Sequence, residues 1–124
     1  QELLGSLVGS KEIVSEITRK FKENEELGLV VPENYLMPHN DYNMASNQEL
    51  VHQTADLLGM KFVMDTFPAG SMYWVRPEAI KGLLKLDSSN FGVERGLADG
   101  TLPHAVERLI GTMVKENKYF VECC

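Results

Sequence analysis

Apolar residues fall at helical spacing near both ends of the chain and in short continuous runs between. Leu3, Leu4, Leu7 and Val8 mark a short opening helix that Gly9 can end. Ser10 is placed to cap a second helix, whose stripe is Ile13, Val14, Ile17 and Phe21. Glu16 and Lys20 form a favourable i,i+4 pair on its outer side. Leu29, Val30 and Val31 then form an unbroken apolar run between Gly28 and Pro32. Such a run reads as a buried strand of the parallel-sheet type. Residues 32–45 mix prolines, asparagines, tyrosines and His39, and read as a long ordered loop.

Ser46 and Glu49 form a capping box for a helix with Leu50, Val51, Ala55 and Leu58 inward, closed by Gly59. Phe62–Met64 and Ser71–Val75 are predicted as short strands. Pro77 suits the first turn of a helix running to about Leu84 or Lys85. Residues 87–97 are polar and contain glycine, so a loop is expected. Leu102, Ala105, Val106, Leu109, Ile110 and Met113 then make a clean helical stripe, and Tyr119–Val121 an edge strand. Short strands alternating with helices predict an α/β layer architecture.

Length and charge narrow the picture. A chain of 124 residues, 44% hydrophobic, can form one domain with its own core or a piece of a larger one. A formal charge of −6 argues against a general nucleic-acid binder, while leaving room for a local basic pocket. The two cysteines, Cys123 and Cys124, are adjacent, which excludes a disulfide framework and fits a reducing compartment. They are expected to end a terminal strand. No apolar run reaches the roughly 18 residues of a membrane span, and no secretory signal is visible. The chain opens on Gln1, already in a helical pattern, so an excised segment of a longer protein is expected.

Candidate chemistry concentrates in two blocks, FPAGSMYWVRP from Phe67 to Pro77 and DGTLPHAVER from Asp99 to Arg108. Gly70 permits a sharp turn or close backbone approach, so Ala69, Gly70 and Ser71 form either a ligand-facing floor or a plain β-bulge. Trp74 and Arg76 lie two apart and share a face of a strand. An indole stacks on sugar C–H groups and a guanidinium binds oxygens, but Trp74 reads equally well as a core anchor. Asp99 stands at a loop-to-helix junction, where a carboxylate either caps the helix or takes a proton in a cleft. Glu94, in the same loop, is the alternative base or a solvated carboxylate. His104 and Arg108, at i,i+4 on the last helix, could bind a diphosphate or join a surface ion-pair row with Glu107. A single histidine without a carboxylate pair does not make a metal site. His39, Asn40, Asp41, Tyr42 and Asn43 offer the mixture that sugar sites use, and that idle loops also carry.

The two blocks at this separation resemble the rhamnan synthesis protein F family, glycosyltransferase-like proteins of bacterial surface polysaccharide assembly. LLGS at Leu3–Ser6, the helix from Lys11 to Phe21 and LGLVVP at Leu27–Pro32 fit the same pattern in order, so the resemblance covers most of the chain. Pro103 stands where a small residue such as alanine is expected, which bears on the local helix start.

The resemblance implies a GT-A-like α/β fold. The chain has no Asp-x-Asp motif and no glycine-rich phosphate loop. Residues 1–124 are therefore expected to be a single acceptor-side, C-terminal segment of a larger glycosyltransferase domain. A divalent metal, if used, would be held outside this chain. The implied reaction moves a sugar, expected to be rhamnose, from a nucleotide-sugar donor to a growing polysaccharide on a lipid-linked acceptor. The full protein would work at the cytoplasmic face of the membrane. Asp99 would act as base with Glu94 as helper, and Gly70, Ser71, Trp74, Arg76, His104 and Arg108 would contact sugar or diphosphate. The segment alone, without the remainder of its parent protein, is expected to have little or no activity. A non-catalytic carbohydrate-binding or assembly module is the competing reading, and a scaffold in which both blocks serve only folding is a third.

Overall fold

The computed structural model describes residues 2–40, 44, 47–86 and 102–124. Helix α1 (Glu2–Val8) leads into α2 (Lys11–Glu23), and Ser10 caps α2 as its position predicts, its Oγ accepting from the Ile13 N–H at 3.2 Å. Strand β1 (Leu27–Val31) follows, buried along its whole length. The segment read as a long loop contains a 3-10 turn (Glu33–Tyr35) and a short strand β2 (Leu36–Pro38). Helix α3 spans Gln48–Leu57; Ser46 of the proposed capping box lies outside the described residues. Strands β3 (Thr66–Pro68) and β4 (Trp74–Val75) precede a 3-10 segment (Pro77–Lys85), and α4 (Leu102–Glu116) precedes β5 (Phe120–Cys123).

Among the described residues the strands form two small sheets, β4–β1–β5 and a β2–β3 ribbon. Strand β1 runs antiparallel to β4 and parallel to β5, so the buried apolar run belongs to a mixed sheet rather than an all-parallel one. Gly28 carries a register shift against β5, and a Cβ there would stand 2.6 Å from Tyr119 Cβ. Beyond this shift the side chains of β1 alternate. Leu29 and Val31 face α4, while Val30, together with Leu27, faces α2.

Three other expectations move. No strand forms at Phe62–Met64; β3 begins at Thr66 instead. Phe62 is buried, but Val63 and Met64 are both half-exposed, so this apolar run crosses the surface. Only Trp74–Val75 of the predicted Ser71–Val75 strand pairs, because Gly70 (φ 85°) and Ser71 (φ 53°) hold the left-handed backbone of a turn. The Pro77 segment is 3-10 rather than α, broken at Ile80 (φ −123°, ψ 23°).

Helix α4 is the hub. Ala105, Leu109 and Met113 pack towards Val51, Ala55 and Leu58 of and beside α3, while Ile110 and Val114 pack towards Leu29 and Val31. Gly111 lies over β3, so close that a Cβ would fall 2.2 Å from the Thr66 carbonyl oxygen. This approach sets the distance between α4 and the ribbon on which the candidate site is built.

Candidate functional site

The ribbon pairs Leu36 with Pro68, Met37 with Phe67 and Pro38 with Thr66. Directly after it the chain reverses, the Ser71 N–H donating to the Pro68 carbonyl at 3.4 Å. Gly70 takes its positive φ without cost, but Ser71 does not, and a left-handed non-glycine residue costs about 1–2 kcal/mol. Neighbouring contacts hold the turn. The Ala69 N–H donates to the Tyr35 carbonyl at 2.8 Å, and the Gly70 N–H donates to Glu107 Oε2 at 2.8 Å.

Glu107 comes from α4 and is the bracket of this arrangement. Its other oxygen, Oε1, accepts from Arg108 Nη1 at 2.5 Å. Both side chains are largely buried, 17% exposed for Glu107 and 9% for Arg108. The Arg108 guanidinium also lies over the Phe67 ring, 5.0 Å from its centre. Burial pushes the Tyr73 phenol above its ordinary range, and the Glu107 charge adds to the effect.

His39 fastens the same region from below. Its Nδ1 accepts the Asp65 N–H at 2.8 Å, which leaves the hydrogen on Nε2 to donate to the Arg108 carbonyl at 2.8 Å. The ring stacks on Phe67 and meets Phe62 edge-on. Burial draws the imidazole below its usual 6.5, against smaller opposing contributions from its two backbone hydrogen bonds. His39 is thus a buried neutral tie between ribbon and helix, not part of a solvent-facing loop.

The structure therefore brings Gly70, Ser71 and Arg108 together, with Glu107 between them. His104 lies one helical turn before Arg108 and is half-buried. Trp74 and Arg76 share a face as predicted, but it is the face turned towards α2. The indole N–H donates to the Leu7 carbonyl at 3.1 Å, and the ring packs against the cluster of Ile17, Leu27 and Val30. Arg76 donates from Nε to the Leu27 carbonyl at 2.8 Å and from Nη2 to the carbonyls of Phe21 (2.7 Å) and Asn24 (3.0 Å). The Phe21 bond satisfies a carbonyl at the C-terminal end of α2, and the guanidinium stands 5.4 Å from the centre of the Phe21 ring. Of the two meanings open for Trp74, its contacts are those of the core anchor.

Asp99 and Glu94 lie outside the described residues, as do Asp41, Tyr42 and Asn43. Sequence reasoning passed over Glu107 as an ion-pair neighbour. Its signal was an acid beside a base within an otherwise apolar stripe. The turn itself is exposed. A cleft of about 760 Å³ opens elsewhere, between α1, α2 and Cys124, and another of about 430 Å³ beside His52, Asp56 and Lys61. Among the described residues no group of three or more His, Cys, Asp or Glu side chains could hold a metal ion. No helix among them is long and apolar enough to cross a membrane.

A model of the family described as rhamnan synthesis protein F matches residues 1–119. The chain belongs to this family. Rhamnan synthesis protein F membership links it to polysaccharide synthesis, as the two sequence blocks anticipated. The chain is also similar to a protein named "Uncharacterized protein WxcX" in two strains of Xanthomonas campestris pathovar campestris. Each is 34% identical over 125 residues, covering 97% of this chain and 18% of the relative. The chain thus spans under a fifth of the length of these curated relatives. No solved structure matches it, so its mixed α/β arrangement stands without a structural neighbour.

Proposed function

We propose that this chain is the acceptor-side part of a GT-A-like glycosyltransferase domain, which passes a sugar from a nucleotide-sugar donor to a growing cell-surface polysaccharide. The family match over residues 1–119 carries this reading. The sugar is rhamnose and the work is done at the cytoplasmic face of the membrane, on a lipid-linked glycan. In the reaction the acceptor hydroxyl loses its proton to Asp99 as its oxygen bonds to the anomeric carbon. The bond from that carbon to the diphosphate breaks, and the nucleoside diphosphate leaves with the electron pair. Glu94 assists or replaces Asp99. Ser71 and His104 face the glycan, and Gly70 lets the backbone come close to it. Trp74 and Arg76 brace the floor from the α2 side, and Arg108 does so through Glu107. The donor and any divalent metal are bound by the remainder of the parent protein.

The test is Asp99→Asn in the full-length parent protein, with sugar transfer measured directly. Loss of a general base lowers turnover by about 10² to 10⁴-fold with folding intact. Unchanged polymer synthesis would sink the base assignment. The contacts of Trp74, Arg76 and Arg108 with the protein itself favour another reading, a scaffold in which the two blocks serve only folding. Nucleotide-sugar binding left untouched by Arg76→Ala and His104→Ala is the outcome that reading expects, whereas retained glycan binding with unaffected synthesis in Asp99→Asn would point to a non-catalytic carbohydrate-binding module.

A further inference from the structure

Two non-glycine residues among those described hold a positive φ, Ser71 (53°) and Lys118 (70°). Lys118 has an ordinary reason. It closes α4, its N–H donating to the Lys115 carbonyl at 3.0 Å while the Tyr119 N–H reaches Val114 at 3.0 Å. Ser71 has no such reason. Glycine or asparagine would occupy the turn at less cost, and strain that the surroundings enforce is characteristic of residues held for a ligand.

The surroundings do enforce it. The Ala69 and Gly70 amides are each fixed by a partner outside the turn, Tyr35 and Glu107. Glu107 is itself held by Arg108, which is buried against Phe67. A mostly buried carboxylate has thus been placed where it accepts one exposed turn's backbone N–H. Beyond the bracket, Ser71 is exposed, and among the described residues no group bonds to its hydroxyl. A hydroxyl both donates and accepts, which matches the hydroxyl groups of a sugar.

We infer that Glu107 is a positioning residue: with Arg108 it locks the Gly70–Ser71 turn so that the Ser71 hydroxyl hydrogen-bonds a hydroxyl of the acceptor glycan. This rests on the glycosyltransferase reading for the identity of the ligand. The geometry of the bracket is independent of it.

The experiment uses the full-length parent protein and a rhamnose oligosaccharide, with affinity read by calorimetry and folding by thermal melting. Ser71→Ala keeps the backbone strain and removes only the hydroxyl; it weakens binding about tenfold without moving the melting point. Glu107→Ala weakens binding by a similar factor, and the double variant is no weaker than either alone. Glu107→Gln keeps an acceptor for Gly70 and restores affinity to within about threefold. Both Glu107 variants remove the carboxylate beside a buried cation, which can unfold a protein, so each is read where its melting point holds, and Ser71→Ala decides where it does not. Wild-type binding by Ser71→Ala, effects that multiply in the double variant, or no binding by the wild type overturns the inference. Turnover separates the two readings. If turnover survives Asp99→Asn combined with Glu94→Gln while the Ser71 and Glu107 series behaves as stated, the enzymatic reading falls and the positioning role stands.

Discussion

Arg76 and Arg108 stand on different sides of the molecule and are held by different chemistry. Arg76 meets the end of α2 and the start of β1 through three main-chain carbonyls, of Phe21, Asn24 and Leu27, which carry no charge at any pH of interest. Arg108 meets the ribbon through the Phe67 ring, pairs with the carboxylate of its helix neighbour Glu107, and accepts the His39 hydrogen bond at its own carbonyl. The α2 seam adds a Trp74 indole bond and a partly exposed Lys20–Glu122 pair at 3.1 Å. The ribbon–α4 seam contains an imidazole and a buried carboxylate. The lesson is that the seam next to the candidate site is the one whose contacts respond to pH, while the other is a fixed brace.

The largest effect should come from forcing the ribbon–α4 seam apart. In Gly111→Ala the new Cβ meets the Thr66 carbonyl oxygen at 2.2 Å, a backbone atom that cannot step aside. A loss of about 3 kcal/mol in urea unfolding is expected, despite the better helix propensity of alanine. Gly82→Ala is the matched control. Its Cβ meets only the flexible Met113 side chain, at 3.6 Å or more, and a change within about 0.5 kcal/mol is expected. Equal losses in the two variants would mean that α4 does not sit against the ribbon as described.

Breaking the α2 seam should cost somewhat less. Arg76→Ala removes three hydrogen bonds from a charged donor and leaves the end of α2 open, a loss of about 2 kcal/mol. Arg76→Lys should recover little, because an ammonium cannot reach three carbonyls in the fork geometry of a guanidinium. The loss should be the same at pH 7.5 and at about pH 5, since all three acceptors are main-chain carbonyls, which do not ionise. A loss that changed across this interval would erase the distinction between the seams.

What the sequence revealed follows the same division. The period of the apolar residues gave α2, β1 and α4, because each buries a regular stripe or run that only one conformation presents to the core. Ser10 was legible as a cap because its bond is local. Partners distant along the chain were not. Nothing near Arg76 announces the Phe21 and Leu27 carbonyls, which only the pairing of β1 with β4 brings within reach. The same holds for His39, whose partners lie at Asp65 and Arg108. Composition marked the block around Gly70 as unusual, and the structure shows a turn there. It could not show that Glu107 holds that turn, because a buried acid and a solvated one look alike in sequence.

The smallest effect, and the sharpest between the seams, is the response to acid. Burial draws the folded His39 imidazole below the 6.5 of the unfolded chain. Between those two values the unfolded state binds more protons, so stability rises with pH there. The contribution is complete above about 6.5 and is lost as pH falls through the folded value. The physical event is loss of the Nδ1 acceptor for the Asp65 N–H, with a new positive charge placed beside Arg108. Unfolding free energy measured from pH 7.5 down to about 5, above the range of ordinary carboxylates, should therefore fall for the wild type. His39→Gln should start lower at pH 7.5, having lost a ring that stacks on Phe67, but should show a flatter profile. His52 and His104 remain in that variant as internal controls. A His39→Gln profile as steep as the wild type would place the acid response outside the His39 ring. It would also remove the titrating tie from the ribbon–α4 seam.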